Sequence, residues 1–346
     1  MQLSIYNRCA SYDYWIMKKI FKNRNLFILG ITIISILFFI GCHKPNEAEN
    51  PNIDSGLFTL HISVDGIDRR YVIYVPKDIE NRTVPLVFEL HGGGIYIEDM
   101  TGESGYKTPY KLWMELAETE KFIVVYPEGL NGAYGKPTWN DCRGDCVVSS
   151  DADDVHFIEV LISTISSQYS IDSQRIYVSG TSNGGFMALR LAVCLSDKIA
   201  AVAAVVAAMP AVSECNNPDN PISVLFMNGT DDNHMPYNGG YVSNPPNPDS
   251  GSALSTDTSV AFWVNFNQTD TIPEHYVYPD LDPDDGGIVE RFSYKNGTQG
   301  TEVILYKVNG GGHSAPSIKE QYSALFEQYF NVINAIIAIW GNYFKF

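Results

Sequence analysis

Positive charge is scarce in this sequence: 23 Lys and Arg stand against 40 Asp and Glu, a formal net charge of −17 at pH 7. Residues 1–41 hold Arg8, Lys18, Lys19, Lys22 and Arg24 against one acid, Asp13, so the remainder stands at −21. A surface of that sign repels polyphosphates, which argues against nucleic acid and anionic lipid headgroups as partners. Cysteine is sparse, with six in 346 residues. The closest pair, in Cys142-Arg-Gly-Asp-Cys146, has no second Cys or His pair beside it, so the donor set of a structural metal site is missing. Long apolar runs are also missing, apart from Leu26 to Ile40. That run falls short of the roughly 20 residues a membrane span needs. No internal repeat is visible.

What the N-terminus does contain is the grammar of export. Basic residues from Lys18 to Arg24 precede the apolar run, and Gly41 and Cys42 close it. Phe39-Ile40-Gly41-Cys42 resembles a bacterial lipobox with an aromatic where leucine is usual, so Cys42 is expected to become the lipidated first residue of the mature chain. The alternative is a retained signal anchor. Met17 opens a more ordinary signal and is the expected true start. Residues 1–41 thus read as a signal peptide, 42–56 as a polar tether with two prolines, and 57–346 as one catalytic domain. The expected location is the periplasmic or cell-surface side of a membrane, held there by the lipid. Exported thiols oxidise, so Cys142, Cys146, Cys194 and Cys215 predict two disulfides. Three connectivities are possible, and Cys194–Cys215 with Cys142–Cys146 is the favoured one.

Downstream, LFTLHISVDG followed by IDRRYVIYVP predicts an antiparallel hairpin about Asp65-Gly66. PLVFEL, FIVVYPEG, RIYVSG, AAVAAVV and PISVLFMNG are short apolar runs of buried-strand type. They alternate with helical spacings in KLWMELAETEK, HFIEVLISTISSQY and FMALRLAVCL. Such alternation predicts an α/β domain with a mostly parallel sheet covered by helices on both faces. ERFSYKNGTQGTEVILYKV carries an Asn-Gly between two alternating runs, and the tail from Tyr322 has a helical apolar stripe. Residues 236–255 form a long Pro/Asn/Gly/Ser loop.

Chemistry enters at VSGTSNGGFM, residues 178–187. Gly180 and Gly184 flank Ser182 at minus two and plus two, between a strand-like and a helix-like run. A serine on a sharp strand-to-helix turn needs glycines there because the backbones pack too closely for side chains. Asn183 then offers its backbone N–H at a helix N-terminus, where a developing oxyanion can be met. A nucleophile needs a base, and the base an acid, in the chain order Ser, Asp or Glu, His. Asp231 and Asp232 follow the strand SVLFMNG, and His313 follows ILYKV in the run NGGGHSAPS. Either acid fits. His234 and His275 are expected at the surface. The second oxyanion donor is expected after the third strand, where His91, Gly92, Gly93 and Gly94 stand.

Taken together, YVIYVP, LHGGG, Trp139-Asn140, DADDVHFI, GTSNGG, NGTDDNHMPY and GGGHSAPS resemble the secreted α/β-hydrolase esterases that include polyhydroxybutyrate depolymerase-like proteins and feruloyl or acetylxylan esterases. The resemblance implies Ser182 as nucleophile, His313 as base and Asp232 as its acid, five residues before Tyr237. It implies oxyanion donors at Asn183 and in Gly92–Gly94, and substrate contacts at His91, Trp139, Asn140 and Tyr237. Asp153 and Asp154 are expected to cap a helix. The implied activity is hydrolysis of acyl or feruloyl esters on plant polysaccharide through an acyl-enzyme, which needs neither metal nor cofactor. Alternatives are a short-polyester depolymerase, a serine peptidase or a non-catalytic glycan-binding relative. This chain departs from the pattern at Asn228-Gly229-Thr230, where relatives carry His-Gly-Thr. It also has Ala315-Pro316-Ser317 in place of Trp-Pro-Gly.

Overall fold

The computed structural model describes residues 55–105, 109–243, 247–280, 287–316 and 335–344. Cys42, the signal segment, most of the tether and Ser317 lie outside them. The hairpin forms as its sequence predicts. β1 (Gly56–Val64) pairs antiparallel with β2 (Ile67–Val75). Asp65 (φ 53°) and Gly66 (φ 80°) turn the chain, the positive φ pair that a two-residue hairpin requires.

The succeeding elements follow the alternation of apolar runs. They are β3 (Val84–Leu90), α1 (Ile97–Thr101), α2 (Leu112–Glu120), β4 (Ile123–Pro127), α3 (Asp154–Gln168), β5 (Ile171–Thr181) and α4 (Asn183–Cys194). Next come β6 (Ala201–Val205), β7 (Ser223–Gly229), the short β8 (Gly240–Tyr241) and β9 (Ser252–Ala253), and α5 (Thr256–Asn267). β10 (Glu274–Val277), β11 (Ile288–Tyr294), β12 (Val303–Asn309) and α6 (Ala335–Ile339) complete the order.

Among the described residues, ten strands join in the order β1-β2-β4-β3-β5-β6-β7-β12-β11-β10. The six from β4 to β12 in that order are parallel, and the two strands at each edge are antiparallel. Both faces of the sheet are buried, which is why its parallel strands read as unbroken apolar runs. One face packs Leu86, Phe88 and Val178 with Phe157, Leu161 and Leu191 of α3 and α4, while Val87, Val124 and Tyr177 face Trp113 of α2 and Trp340. Each such side chain stabilises by roughly 1.5–3 kcal/mol when taken from water. This rigid slab fixes the loops at its carboxyl edge, and all the candidate catalytic residues sit there.

Candidate active site

The turn between β5 and α4 is as tight as its glycines imply. A Cβ on Gly180 would lie 2.2 Å from the Gly184 carbonyl oxygen, and one on Gly184 would lie 2.4 Å from the Leu90 carbonyl oxygen. Either contact would force the turn apart. Ser182 is thereby held at φ 56°, ψ −121°, a conformation unfavourable for a residue with a Cβ. The strain lifts its hydroxyl above the strand end, and α4 starts at the next residue.

Three loops that are remote in sequence meet at this hydroxyl. Ser182 Oγ lies 2.9 Å from His313 Nε2, and His313 Nδ1 lies 2.8 Å from Asp232 Oδ2. Oδ1 of the same carboxylate accepts the amides of His234 and Met235, each at 2.8 Å. The Asp232 side chain is fully buried, whereas that of His313 is 15 % exposed. Asp232 therefore fixes Nδ1 as the protonated nitrogen and leaves Nε2 to receive the serine proton. The neighbouring Asp231 bonds Thr230 Oγ1 at the surface, so the choice between the two acids falls on Asp232.

The oxyanion side lies against the same turn. Ideal Cβ positions on Gly92 and Gly93 would be 3.6 Å from the Cβ atoms of Ser182 and Asn183 respectively. Asn183 is the first residue of α4, so its amide has no carbonyl one turn back to donate to. Its side chain is pinned beneath. Oδ1 accepts the Trp139 amide at 2.7 Å, and Nδ2 donates to Trp139 O at 3.1 Å and to Asp141 Oδ2 at 2.7 Å. Asp141 in turn grips Arg143 through Nε (3.0 Å) and Nη2 (2.7 Å), and the guanidinium lies over the Phe186 ring.

The four expected substrate-contact residues turn their polar atoms to partners within the protein. His91 is buried; its Nδ1 meets the Gly92 carbonyl at 2.8 Å, and its Nε2 accepts the Gly129 amide at 2.9 Å. Burial lowers its pKa to about 4, so it is a neutral post for the glycine loop. Trp139 is wholly buried against it, with ring centroids 4.7 Å apart and the indole N–H donated to His91 O. Asn140 is turned toward Arg190 and the Ala152 carbonyl. The Tyr237 hydroxyl donates to Asp257, and burial raises its pKa. All four direct their polar atoms to backbone or side-chain partners in the scaffold, as buried polar groups do. Asp153 caps α3 through the His156 amide as expected, whereas Asp154 makes a buried ion pair with Arg69.

The favoured disulfide pairing is also overturned. Cys142 bonds Cys215, and Cys146 and Cys194 are free thiols. The local bridge of Arg143 to Ser213 runs antiparallel, and the Glu214 amide donates to Cys142 O, so the partner strand presents Cys215 at a Cα–Cα distance of 5.4 Å. Cys146 instead faces Ser149.

A cavity of about 230 Å³ opens over Ser182, Asn183, His313 and Gly93. Its remaining wall includes Thr138, Arg143, Ser149, His234, Ser243 and Ser250. None of these six was singled out as a site residue from sequence. For the hydroxyl residues no signal existed; Arg143, a basic residue in an acidic chain, was the one legible hint. His234 is half-buried and lines the open cavity, its ring 5.2 Å from that of His313. His275 does sit on exposed β10, paired with Glu290. Among the described residues no cluster of His, Cys, Asp and Glu could hold a metal ion.

Residues 69–215 match the model of the family described as Esterase PHB depolymerase. A putative esterase, NocK, from Nocardia uniformis subsp. tsuyamanensis is 29% identical over 77% of this chain and 76% of its own. Feruloyl esterase D of Neurospora crassa is 25% identical over 82% of this chain and 87% of its own. An acetyl xylan esterase from Aspergillus awamori aligns in structure with a TM-score of 0.48 and 17% identity, covering 76% of this chain and 96% of that one. The chain is a serine carboxylic ester hydrolase with an α/β-hydrolase sheet, and its residues 69–215 match the esterase PHB depolymerase family.

Proposed function

We propose that the protein hydrolyses acyl or feruloyl esters borne on plant polysaccharide, with Ser182, His313 and Asp232 as its catalytic triad. The carrying observation is the unbroken hydrogen-bonded line from Ser182 Oγ through His313 to the buried Asp232 carboxylate. Ser182 Oγ attacks the ester carbonyl as its proton passes to His313 Nε2. The carbonyl oxygen gains negative charge, which the amides of Asn183 and Gly93 receive in the turn below. His313 then returns the proton to the departing alcohol, and water repeats the sequence to release the acid. The hydroxyls of Thr138, Ser149, Ser243 and Ser250, set among the apolar Val148, Phe186 and Val242, support an alcohol rich in oxygens over a short polyester. Export and lipidation at Cys42 are part of the same proposal, since they would hold the enzyme at the membrane face where polymeric substrate arrives.

The test is turnover of p-nitrophenyl acetate and methyl ferulate by the full chain beside Ser182→Ala. The serine variant is expected to lose at least about 10⁴-fold in kcat. Equal rates in the two proteins, or no ester turnover by a folded wild type, would overturn the proposal.

A further inference from the structure

His234 has no part in the triad, yet three features place it at the reaction centre. Its ring is tilted against that of His313, with centroids 5.2 Å apart and planes at 36°. It lines the cavity that holds Ser182. Its backbone is fixed at both ends of the residue: the amide donates to Asp232 Oδ1 at 2.8 Å, and the carbonyl accepts the Ser243 amide at 2.7 Å. The carboxylate that orients His313 therefore also holds the backbone of the second imidazole. The Ser243 contact ties the cavity-lining loop after β8 to the same turn.

The direction of the chemistry says which part of a substrate passes this ring. His313 must give its proton to the leaving oxygen, so the alcohol portion of the ester lies over His313 Nε2, while the acyl oxygen points to the Asn183 and Gly93 amides. A ring tilted against His313 flanks the alcohol rather than the acyl oxygen. Ser243 and Ser250 on the same wall add hydroxyls that both donate and accept. An imidazole with a ring face and polar nitrogens matches an alcohol whose ring carbons and hydroxyls alternate.

Resting on the proposed ester hydrolysis, we propose that His234 is a specificity-determining residue that contacts the alcohol side of the substrate, selecting a ring-shaped, polyhydroxylated alcohol. A site built to bond substrate hydroxyls discriminates strongly against an alcohol that lacks them, because its own polar groups are then left unpaired.

The experiment compares kcat/KM on two probes, an acetylated xylo-oligosaccharide and p-nitrophenyl acetate, for the full chain, His234→Ala and His234→Gln. The ratio of the two values does not depend on the fraction of protein folded. It is expected to fall at least about 10-fold in His234→Ala, through KM more than kcat, and to recover in part in His234→Gln, which keeps a hydrogen-bonding side chain. An unchanged ratio, whether both rates fall together or neither falls, overturns the role. A wild type that turns over p-nitrophenyl acetate but not the oligosaccharide overturns the polysaccharide reading and this role together. An inactive Ser182→Ala beside a wild type active on both probes with an unchanged His234→Ala ratio overturns this role alone.

Discussion

His313 and His91 both follow the end of a strand in the same sheet, and they have been put to opposite uses. His313 keeps a partly open ring, with one nitrogen on a buried carboxylate and the other on a serine hydroxyl. His91 has both nitrogens occupied by the main chain, and burial pushes its basicity down to about 4. The first has one ring nitrogen on a serine and the other on a carboxylate, the arrangement the proposed mechanism uses; the second stays uncharged near neutral pH and bonds the Gly92 carbonyl beside Ser182. A histidine in a motif is thus a proton carrier only where the fold gives it a charged partner and leaves one nitrogen to the solvent cavity. The same contrast separates the triad from the layer of Trp139, Asp141 and Asn183 below it.

The largest test of that contrast is Asp232→Asn. It keeps the shape but removes the negative charge that fixes the His313 tautomer, and kcat on p-nitrophenyl acetate is expected to fall about 10⁴-fold. A loss under 10-fold would mean that His313 needs no acid partner and that its difference from His91 lies elsewhere.

The supporting layer is tested next by removing its staple. Cys142 and Cys215 close a loop of 73 residues, so the Cys142→Ser, Cys215→Ser double variant is expected to lose about 4 kcal/mol of stability in urea titrations under the chain-entropy account. An unchanged midpoint would show that Asp141, Arg143 and the 210–215 segment hold the layer without it.

The smallest expected effect is a slope with pH, and it comes from the other face of β3. Glu89 is wholly buried; burial, partly offset by hydrogen bonds from Ser179 and Trp113, raises its carboxyl from 4.5 to about 8. The folded state therefore favours the protonated acid. Its stabilising contribution is complete below about pH 4.5 and is lost as pH rises toward 8. Glu89→Gln should flatten this decline between urea midpoints measured at pH 5 and pH 8. An identical slope in both proteins would assign the pH dependence to other groups.

The α/β class, the opening hairpin and the Ser182 turn were legible because each rests on neighbours in sequence. Alternating residues make β1 and β2, and an apolar run doubly buried makes β3. Gly180 and Gly184 announce a turn in which a Cβ has no room. The order of serine, acid and histidine was legible too, since each follows a predicted strand. For His91 and Asn140, two of the four expected substrate contacts, what the side chain meets was not legible. Their positions next to motifs were visible, but the direction of their side chains depends on backbone partners from distant segments, such as Gly129 for His91 and Ala152 for Asn140. The place of His234 beside His313 was not legible either, since nothing local distinguishes a lone surface imidazole from one turned onto a second ring.

By itself, then, the sequence determined which strands and helices form, where the nucleophile turn lies and which three residue types can pass a proton, because those follow from short-range sterics and apolar periodicity. Only the tertiary structure decided that Cys142 meets Cys215 rather than Cys146, that Ser182, Asp232 and His313 come within hydrogen-bond reach, and that Arg143 and His234 wall the cavity. Those outcomes depend on how segments 73 to 131 residues apart are brought to one sheet edge, and no local spacing encodes them.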